Sequence, residues 1–440
     1  MNKKIANLSV YMIGVGGFGM ATLCAFLLDK GFTVSGSDKV KGSTVCKLIE
    51  KGLIFYKGHE GDYLKDADIV IYSSAISDEN SELKLARTLN KAIYKRSELL
   101  NLVLSSHSRS IGISGSHGKT TSTAMLYEIL SVNNPFVSCF LGGEYKGIRT
   151  PLKNKVAIAE ICEYAKNIND INCDYSVCLN IDNDHLDSYG NIENLRSVFC
   201  SFLSRSKIKF INADDCRLSL YRAKKTVTFG ILNDCDYKAE NILFSSGNYT
   251  FDLIEKGEYK CKITLSVVGK HNVYNALSAI AVSRVVFKCN YEQIIQALKN
   301  FKGVERRFEF MGELYGKQII CDYAHHPTEI ESVLKTVKEI YKKDYLVVFQ
   351  PHTYSRTKLL FKDFFRVLKG ENAIIYKEYP SREEYDFEGS SERLAKELEL
   401  CYYDNFFELL SKVKRSRKKV VIVLGAGNLY NDIVNEVKSK

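Results

Sequence analysis

Short, unbroken apolar runs rich in β-branched residues recur along the chain, and each closes on a glycine turn or polar loop that leads into apolar positions at helical spacing. The first is Leu8-Ser9-Val10-Tyr11-Met12-Ile13, followed by Gly14-Val15-Gly16-Gly17-Phe18-Gly19 and an apolar helix to Leu28. A second strand over residues 32–36 ends at Ser37-Asp38. A second module opens with residues 110–114, runs through Gly115-Ser116-His117-Gly118-Lys119-Thr120-Thr121 into a helix from Ser122, and adds strands over 156–160 and 175–180. A third begins near Met311, with strands over 318–321, 345–349, 373–376 and 420–424. Continuous apolar strands separated by helices predict an α/β protein with parallel sheets covered on both faces. The breaks fall near residues 107 and 308, giving three domains over 1–107, 108–308 and 309–440.

Composition narrows this picture. The 440 residues exceed what one core serves, and 45% hydrophobic with 26% charged residues and only five prolines excludes a disordered or collagen-like chain. No run approaches the ~18 apolar residues of a membrane span, so membrane insertion is not expected. The start, Met1-Asn2-Lys3-Lys4, leads into a glycine-bearing turn unlike a cleavable signal, and a cytoplasmic location is the expectation. Thirteen cysteines stand singly, without a C-x-x-C pair, and read as buried reduced thiols. The formal charge of +10 is dense only over residues 412–419, without interleaved aromatics, so nucleic acid is not the expected partner. Cations also suit a protein that holds several phosphates.

Five groups of residues carry chemistry. Gly14, Gly16 and Gly19, with Gly17 between them, form G-x-G-x-x-G after a strand, and Asp38 lies where a Rossmann-like site presents a carboxylate to a ribose. Gly115 to Thr121 is a shortened phosphate loop, G-x-x-G-K-T, with Ile113 where the longer form has glycine. Its amides can cradle phosphate oxygens, Lys119 on this solvent-facing loop can neutralise charge, and the Thr120 hydroxyl can ligate Mg²⁺. Glu160 and His185 close the next two strands and can join Thr120 around metal ions, with Glu163 as an alternative to Glu160. Asp182, Asp184 and Asp187 nearby suit loop capping. Asn272 and Asn275 share one face of a helix that starts near Lys270. Arg306, Asp322, His325, His326, His352 and Arg356 follow, each trailing an apolar run.

In their order these motifs resemble the Mur ligases: IGVGGFGM, SGSD, Ser73-Ser74-Ala75-Ile76, GSHGKTT, the run 180–185, HNVYNAL, GVERRFE, DYAHHPTEI, FQPHTYSRT and Tyr379-Pro380-Ser381-Arg382-Glu383. The likeness spans Ile13 to Gly427. It implies an N-terminal Rossmann-like domain for a UDP-sugar, a central P-loop-type ATPase sheet and a C-terminal Rossmann-like domain for the amino acid. The activity implied is ATP-dependent joining of L-alanine to the lactyl carboxylate of UDP-N-acetylmuramate through an acyl phosphate, in peptidoglycan precursor synthesis. A murein tripeptide as acceptor, and a non-catalytic nucleotide-gated binding protein, are the alternatives. By the same resemblance Gly14 to Gly19, Asp38, Ser73 and Ser74 hold the uridine diphosphate, and Gly115 to Thr121 hold the ATP phosphates. Thr120, Glu160 and His185 hold Mg²⁺, while Asn272, Asn275, Arg306 and Asp322 bind adenosine and the terminal phosphate. His326, His352 and Arg356 meet L-alanine, with Lys119, Glu160, His185, His326 and Arg356 as the catalytic set. Tyr11 and Phe18 stand where the L-alanine-adding members of that family commonly have His and Ser, Cys321 replaces the first Asp of their DDY run, and Thr353 replaces the Arg of their PHRYTRT run.

Overall fold

The computed structural model describes residues 8–132, 136–143, 145, 155–183, 186–245, 247–381 and 383–439. Five strands, β1 (Ser9–Ile13), β2 (Thr33–Asp38), β3 (Ile54–Lys57), β4 (Ile69–Tyr72) and β5 (Ala92–Lys95), form a wholly parallel sheet in the order 3-2-1-4-5. Central β1 is buried from Val10 to Ile13, which is why it reads as a continuous apolar run.

Nine strands form the second sheet: β6 (Arg109–Ser114), β7 (Val137–Phe140), β8 (Val156–Glu160), β9 (Tyr175–Cys178), β10 (Ile208–Asn212), β11 (Thr226–Gly230), β12 (Tyr237–Ser245), β13 (Asn248–Glu255) and β14 (Glu258–Leu265). Their order is 14-13-12-11-10-9-6-8-7, so β6 lies between β8 and β9. The third sheet joins β15 (Glu309–Leu314), β16 (Lys317–Asp322), β17 (Tyr345–Phe349), β18 (Ala373–Tyr376), β19 (Cys401–Tyr403) and β20 (Val420–Leu424) in the order 15-16-20-17-18-19. Only β15 runs antiparallel to its neighbour in that sheet. Two cores flank it: one is built with Ile330, Val333, Phe364 and Leu394, the other with Leu409, Val413, Leu429 and Ile433.

The chain groups into two compact units. One comprises residues 1–243, 250–265 and 272–301, and the other 244–249, 266–271 and 302–440. Within the first, the two sheets share a core: Val10, Met12 and Leu23 belong to the same buried cluster as Ala157, Cys178, Phe199 and Phe202. Phe26 lays its ring edge-on to Phe140 at 5.5 Å, and His107 bridges from the Val103 carbonyl (2.8 Å) to the Ser138 hydroxyl (3.0 Å).

All thirteen cysteines carry free thiols, but Cys46, Cys216 and Cys401 are exposed, which corrects the expectation that they are buried. No helix among the described residues is long and apolar enough to cross a membrane.

Candidate active site

Parallel sheets place ligand crevices where neighbouring crossovers leave a strand in opposite directions. In the first sheet that point is β1. Gly14 takes a left-handed φ of +81°, and the Gly14 and Val15 amides donate to the Ser37 carbonyl at the end of β2 (2.9 and 3.0 Å). A Cβ at Gly14 would lie 3.3 Å from Ser73 Cβ, so the loop after β4 is packed onto the turn. Gly14, Gly16, Gly17, Gly19, Asp38, Ser73 and Ser74 therefore gather at the carboxyl ends of β1, β2 and β4. Asp38 is already engaged there: its Oδ2 accepts the Gly16 amide at 2.9 Å. Ser74 accepts a bond from Asn167 Nδ2 at 3.3 Å.

In the second sheet the corresponding point is β6, flanked by β8 and β9. Gly115 (φ +134°) and Gly118 (φ +84°) shape the loop that follows it. Asn180 fixes the loop's other side, accepting the His117 amide at 2.8 Å and donating to the His117 carbonyl at 3.0 Å. Ser116 Oγ accepts the Asp182 amide at 2.9 Å, and His117 Nε2 lies 2.9 Å from Asp182 Oδ2. Thr120 donates its hydroxyl to Glu160 Oε2 at 2.9 Å, and Glu160 also accepts the Gly142 amide at 2.8 Å. Ser122 donates to Asn275 Oδ1 (3.1 Å), and Asn275 Nδ2 donates to Asn272 Oδ1 (2.9 Å), which places both asparagines beside the loop. Asp184 and His185 lie outside the described residues.

Lys119 departs from the sequence expectation. Its side chain is only 11% exposed and is drawn beneath the loop, donating to the Gly115 and Ser116 carbonyls (2.6 and 3.1 Å) and to both oxygens of fully buried Glu163 (3.2 and 3.0 Å). Burial opposes the ammonium charge, but Glu163, with Cys162 and Glu160 behind it, outweighs that and holds the lysine above its ordinary pKa.

In the second unit, the ends of β16, β17 and β20 carry the remaining residues. Asp322 is buried and accepts the Phe308 and Ala324 amides (2.8 Å each). Burial pushes its carboxyl up to about 6 against the pull of Arg307 and those amides. Arg306, at φ +62°, is sandwiched between the Tyr323 and Tyr430 rings (4.7 and 4.5 Å) and donates to the Gly425 and Gly427 carbonyls (3.1 and 3.2 Å). His326 caps the helix Pro327–Tyr341, its Nδ1 accepting the Thr328 amide at 3.3 Å. His352 lies between the rings of Tyr379 (5.5 Å) and His325 (5.7 Å), with Arg356 Nη1 3.4 Å from its Nδ1. Burial first, and Arg356 second, depress its pKa to about 4. Arg306 and Asp322, expected with the ATP set, thus fall in the unit that carries His326, His352 and Arg356, whereas Asn272 and Asn275 fall with the phosphate loop.

Comparison with known proteins decides the family. Residues 9–108 match the Mur ligase family catalytic domain, 113–283 the Mur ligase middle domain and 306–427 the Mur ligase glutamate ligase domain. The chain is similar to UDP-N-acetylmuramate–L-alanine ligase of Clostridium acetobutylicum, at 37% identity over 97% of each chain. The chain belongs to the Mur ligase family. Among solved structures, UDP-N-acetylmuramate–alanine ligase from Thermotoga maritima superimposes with a TM-score of 0.84 at 25% identity, covering 98% of this chain and 99% of that one. A murein peptide ligase from Psychrobacter arcticus shares the fold at a TM-score of 0.73 and 18% identity, covering 98% of each.

Sequence reading passed over several residues of this Mur ligase. Glu82 is buried and accepts from Tyr11 Oη (2.6 Å) and Ser37 Oγ (2.5 Å), with His59 Nδ1 at 3.0 Å. Gln350 ties β17 to the helix Leu429–Lys438 by accepting the Leu429 amide at 3.1 Å. Asp214 accepts the Ile231, Leu232 and Asn233 amides and the Tyr274 hydroxyl. Side-chain chemistry alone could nominate Asp214, because an acid just past an apolar strand suits loop amides.

Proposed function

We propose that this Mur ligase joins L-alanine to the lactyl carboxylate of UDP-N-acetylmuramate at the expense of ATP. The observation that carries the reading is the phosphate loop at the β6 crossover, with Lys119, Thr120 and Glu160 converging there in a chain that resembles L-alanine ligases end to end. A carboxylate resists amine attack because oxide is a poor leaving group. Transfer of the γ-phosphoryl group to the lactyl carboxylate gives an acyl phosphate, and the alanine amine then displaces phosphate. Lys119, leaving Glu163, neutralises the transferred phosphoryl, and the loop amides from Gly115 to Thr121 orient it.

A hydroxyl and a carboxylate facing each other, Thr120 and Glu160, are the hard oxygen donors Mg²⁺ prefers, and His185 completes the assigned set. When bound, the ion supplies charge neutralisation at the phosphate oxygens. Glu163 is committed to Lys119, which supports Glu160 over Glu163 as the ligand. Asn272 and Asn275 are assigned to the adenosine side with Arg306 and Asp322, and His326, His352 and Arg356 to the amino acid. Gly14, Gly16, Gly17, Gly19, Asp38, Ser73 and Ser74 are assigned to the UDP-sugar. The corresponding domain limits are 1–107, 108–308 and 309–440, and the cytoplasm is the proposed compartment.

The test is phosphate release by the purified chain with ATP, Mg²⁺, UDP-N-acetylmuramate and either L-alanine or the murein tripeptide. Release that requires L-alanine is expected. Release only with the tripeptide would transfer the chain to the alternative acceptor, and none with either would remove the ligase reading.

A further inference from the structure

Arg96 opens the helix Arg96–Ser105 directly after β5, and nothing in the sequence marks it. Its guanidinium lies over the glycine turn: a Cβ at Gly19 would be 3.1 Å from Arg96 Nη1, 3.4 Å from its Cδ and 3.5 Å from its Cζ. Gly19 has no left-handed backbone to explain it, so the room it leaves is filled by this cation. Arg96 is half-buried, yet among the described residues its guanidinium makes no hydrogen bond and no ion pair. The other described arginines of the same unit each bond a carbonyl or an acid, as Arg205 does with Ile168 and Ile171 and Arg284 with Glu255. A guanidinium carries five donors, and this one, partly open to solvent and not engaged by a described protein acceptor, keeps its fork available to an anion at the turn.

The neighbouring groups point the same way. The helix Phe18–Asp29 begins at Gly17 with no side-chain cap and no acid in its first turn, leaving its leading amides and its positive dipole end uncompensated. The acid expected at this turn, Asp38, is bound to the Gly16 amide instead. On its other side Arg96 is close enough to Cys162, one residue before Glu163, to favour the thiolate there. The unpaired fork and the amides of Phe18 and Gly19 therefore face a common space at the end of β1.

We propose that Arg96 is a binding residue for the diphosphate of the uridine-diphosphate substrate, supplying the cation that the glycine turn itself lacks. This rests on the UDP-sugar reading above and adds to it the residue that reads the two phosphates. A planar fork can hold oxygens from both phosphates through parallel N–H···O bonds, whereas a lysine in its place would offer a single point charge.

Equilibrium titrations of wild type, Arg96→Ala and Arg96→Lys with UDP-N-acetylmuramate, UDP and uridine test the assignment, with thermal midpoints as a check on folding. Arg96→Ala is expected to weaken UDP and UDP-N-acetylmuramate alike by at least tenfold, to leave uridine within twofold, and to melt as wild type does because no protein partner is lost. Arg96→Lys should recover part of the loss. Unchanged UDP affinity in a folded Arg96→Ala overturns the proposal. Weakening of UDP-N-acetylmuramate alone also overturns it and assigns the guanidinium to the lactyl carboxylate. Failure of wild type to bind UDP-N-acetylmuramate at all would instead remove the UDP-sugar reading, and the proposal with it.

Discussion

Lys119 has four oxygen acceptors within 3.2 Å, two of them on a carboxylate with no solvent exposure. Alanine at this position therefore does two separable things. It removes a preorganised charge contact, expected to cost roughly 100-fold or more in turnover, and it leaves Glu163 buried without its partner, at about 3–5 kcal/mol of stability. The double variant Lys119→Ala/Glu163→Gln should regain most of the thermal midpoint and none of the rate. A Lys119→Ala protein that melts like wild type would show that Glu163 is not held by this pair. His352 and Asp322 make a second residue-level case, because their shifts have opposite signs. His352, depressed from 6.5 to about 4, contributes stability that is full above pH 6.5 and is lost as pH falls towards 4. Asp322, raised from 3.8 to about 6, contributes stability that is full below pH 3.8 and is lost as pH rises through 6. Replacing His352→Gln should thus remove about 2 kcal/mol of the stability lost between pH 7 and 5, following from 1.36 kcal/mol per pKa unit. Urea unfolding at the two pH values measures it, and an equal loss in variant and wild type would mean that His352 titrates normally.

At the scale of elements, the phosphate loop is a turn that only glycine can make at Gly118. Its φ is +84°, and a Cβ there would sit 2.4 Å from Asn275 Oδ1, against the residue that also accepts from Ser122. Gly31 is a natural control, with φ +83° and nothing within 4 Å of a Cβ. Gly31→Ala should lose only the left-handed strain of about 1–2 kcal/mol, with ADP affinity unchanged. Gly118→Ala should lose more stability and at least tenfold in ADP affinity, measured by calorimetric titration. Equal effects of the two would mean the loop tolerates the displaced asparagine. Gly115 and Gly118 were legible in the sequence because they follow an apolar strand, and the strands over 156–160, 345–349, 373–376 and 420–424 agree with β8, β17, β18 and β20 for a like reason. Edge strands β3 and β5 are four residues long with no fully buried residue, and their three-residue apolar stretches, Ile54-Phe55-Tyr56 and Ala92-Ile93-Tyr94, are too short to be told from a helix or loop segment by pattern. The period-two burial of β13 was a readable signal, though an isolated hairpin does not announce which sheet it joins. Lys119 with Glu163, Gly19 with Arg96, and Tyr11 with Glu82 are each separated by more than forty residues. Their pairing is a product of strand order, which single-sequence spacing does not encode.

For the whole molecule, the consequential feature is that the sheets built on β1 and β6 are two ligand platforms resting on one core. Val10, Met12 and Leu23 bury themselves in the cluster that also holds Ala157, Cys178 and Phe202, and Phe26 is packed against it with its ring edge-on to Phe140. Neither sheet can lose that packing alone, because the apolar side chains of each would be exposed by unfolding the other. Three domains follow one another along the chain, as the sequence suggests, but the core shared by the first two predicts that they open together, while the β15–β20 sheet, with cores of its own, opens separately. Phe26→Ala separates the alternatives. Removing a ring from this junction should cost about 3 kcal/mol and lower the free energy of opening for β1 and β8 amides together, while β17 and β20 amides keep theirs. Native-state hydrogen exchange on the intact chain reads each strand separately, and calorimetry should show two transitions, of which only one moves. If β1 amides lose protection while β8 amides retain it, the two platforms unfold independently and the shared cluster is an interface rather than a core.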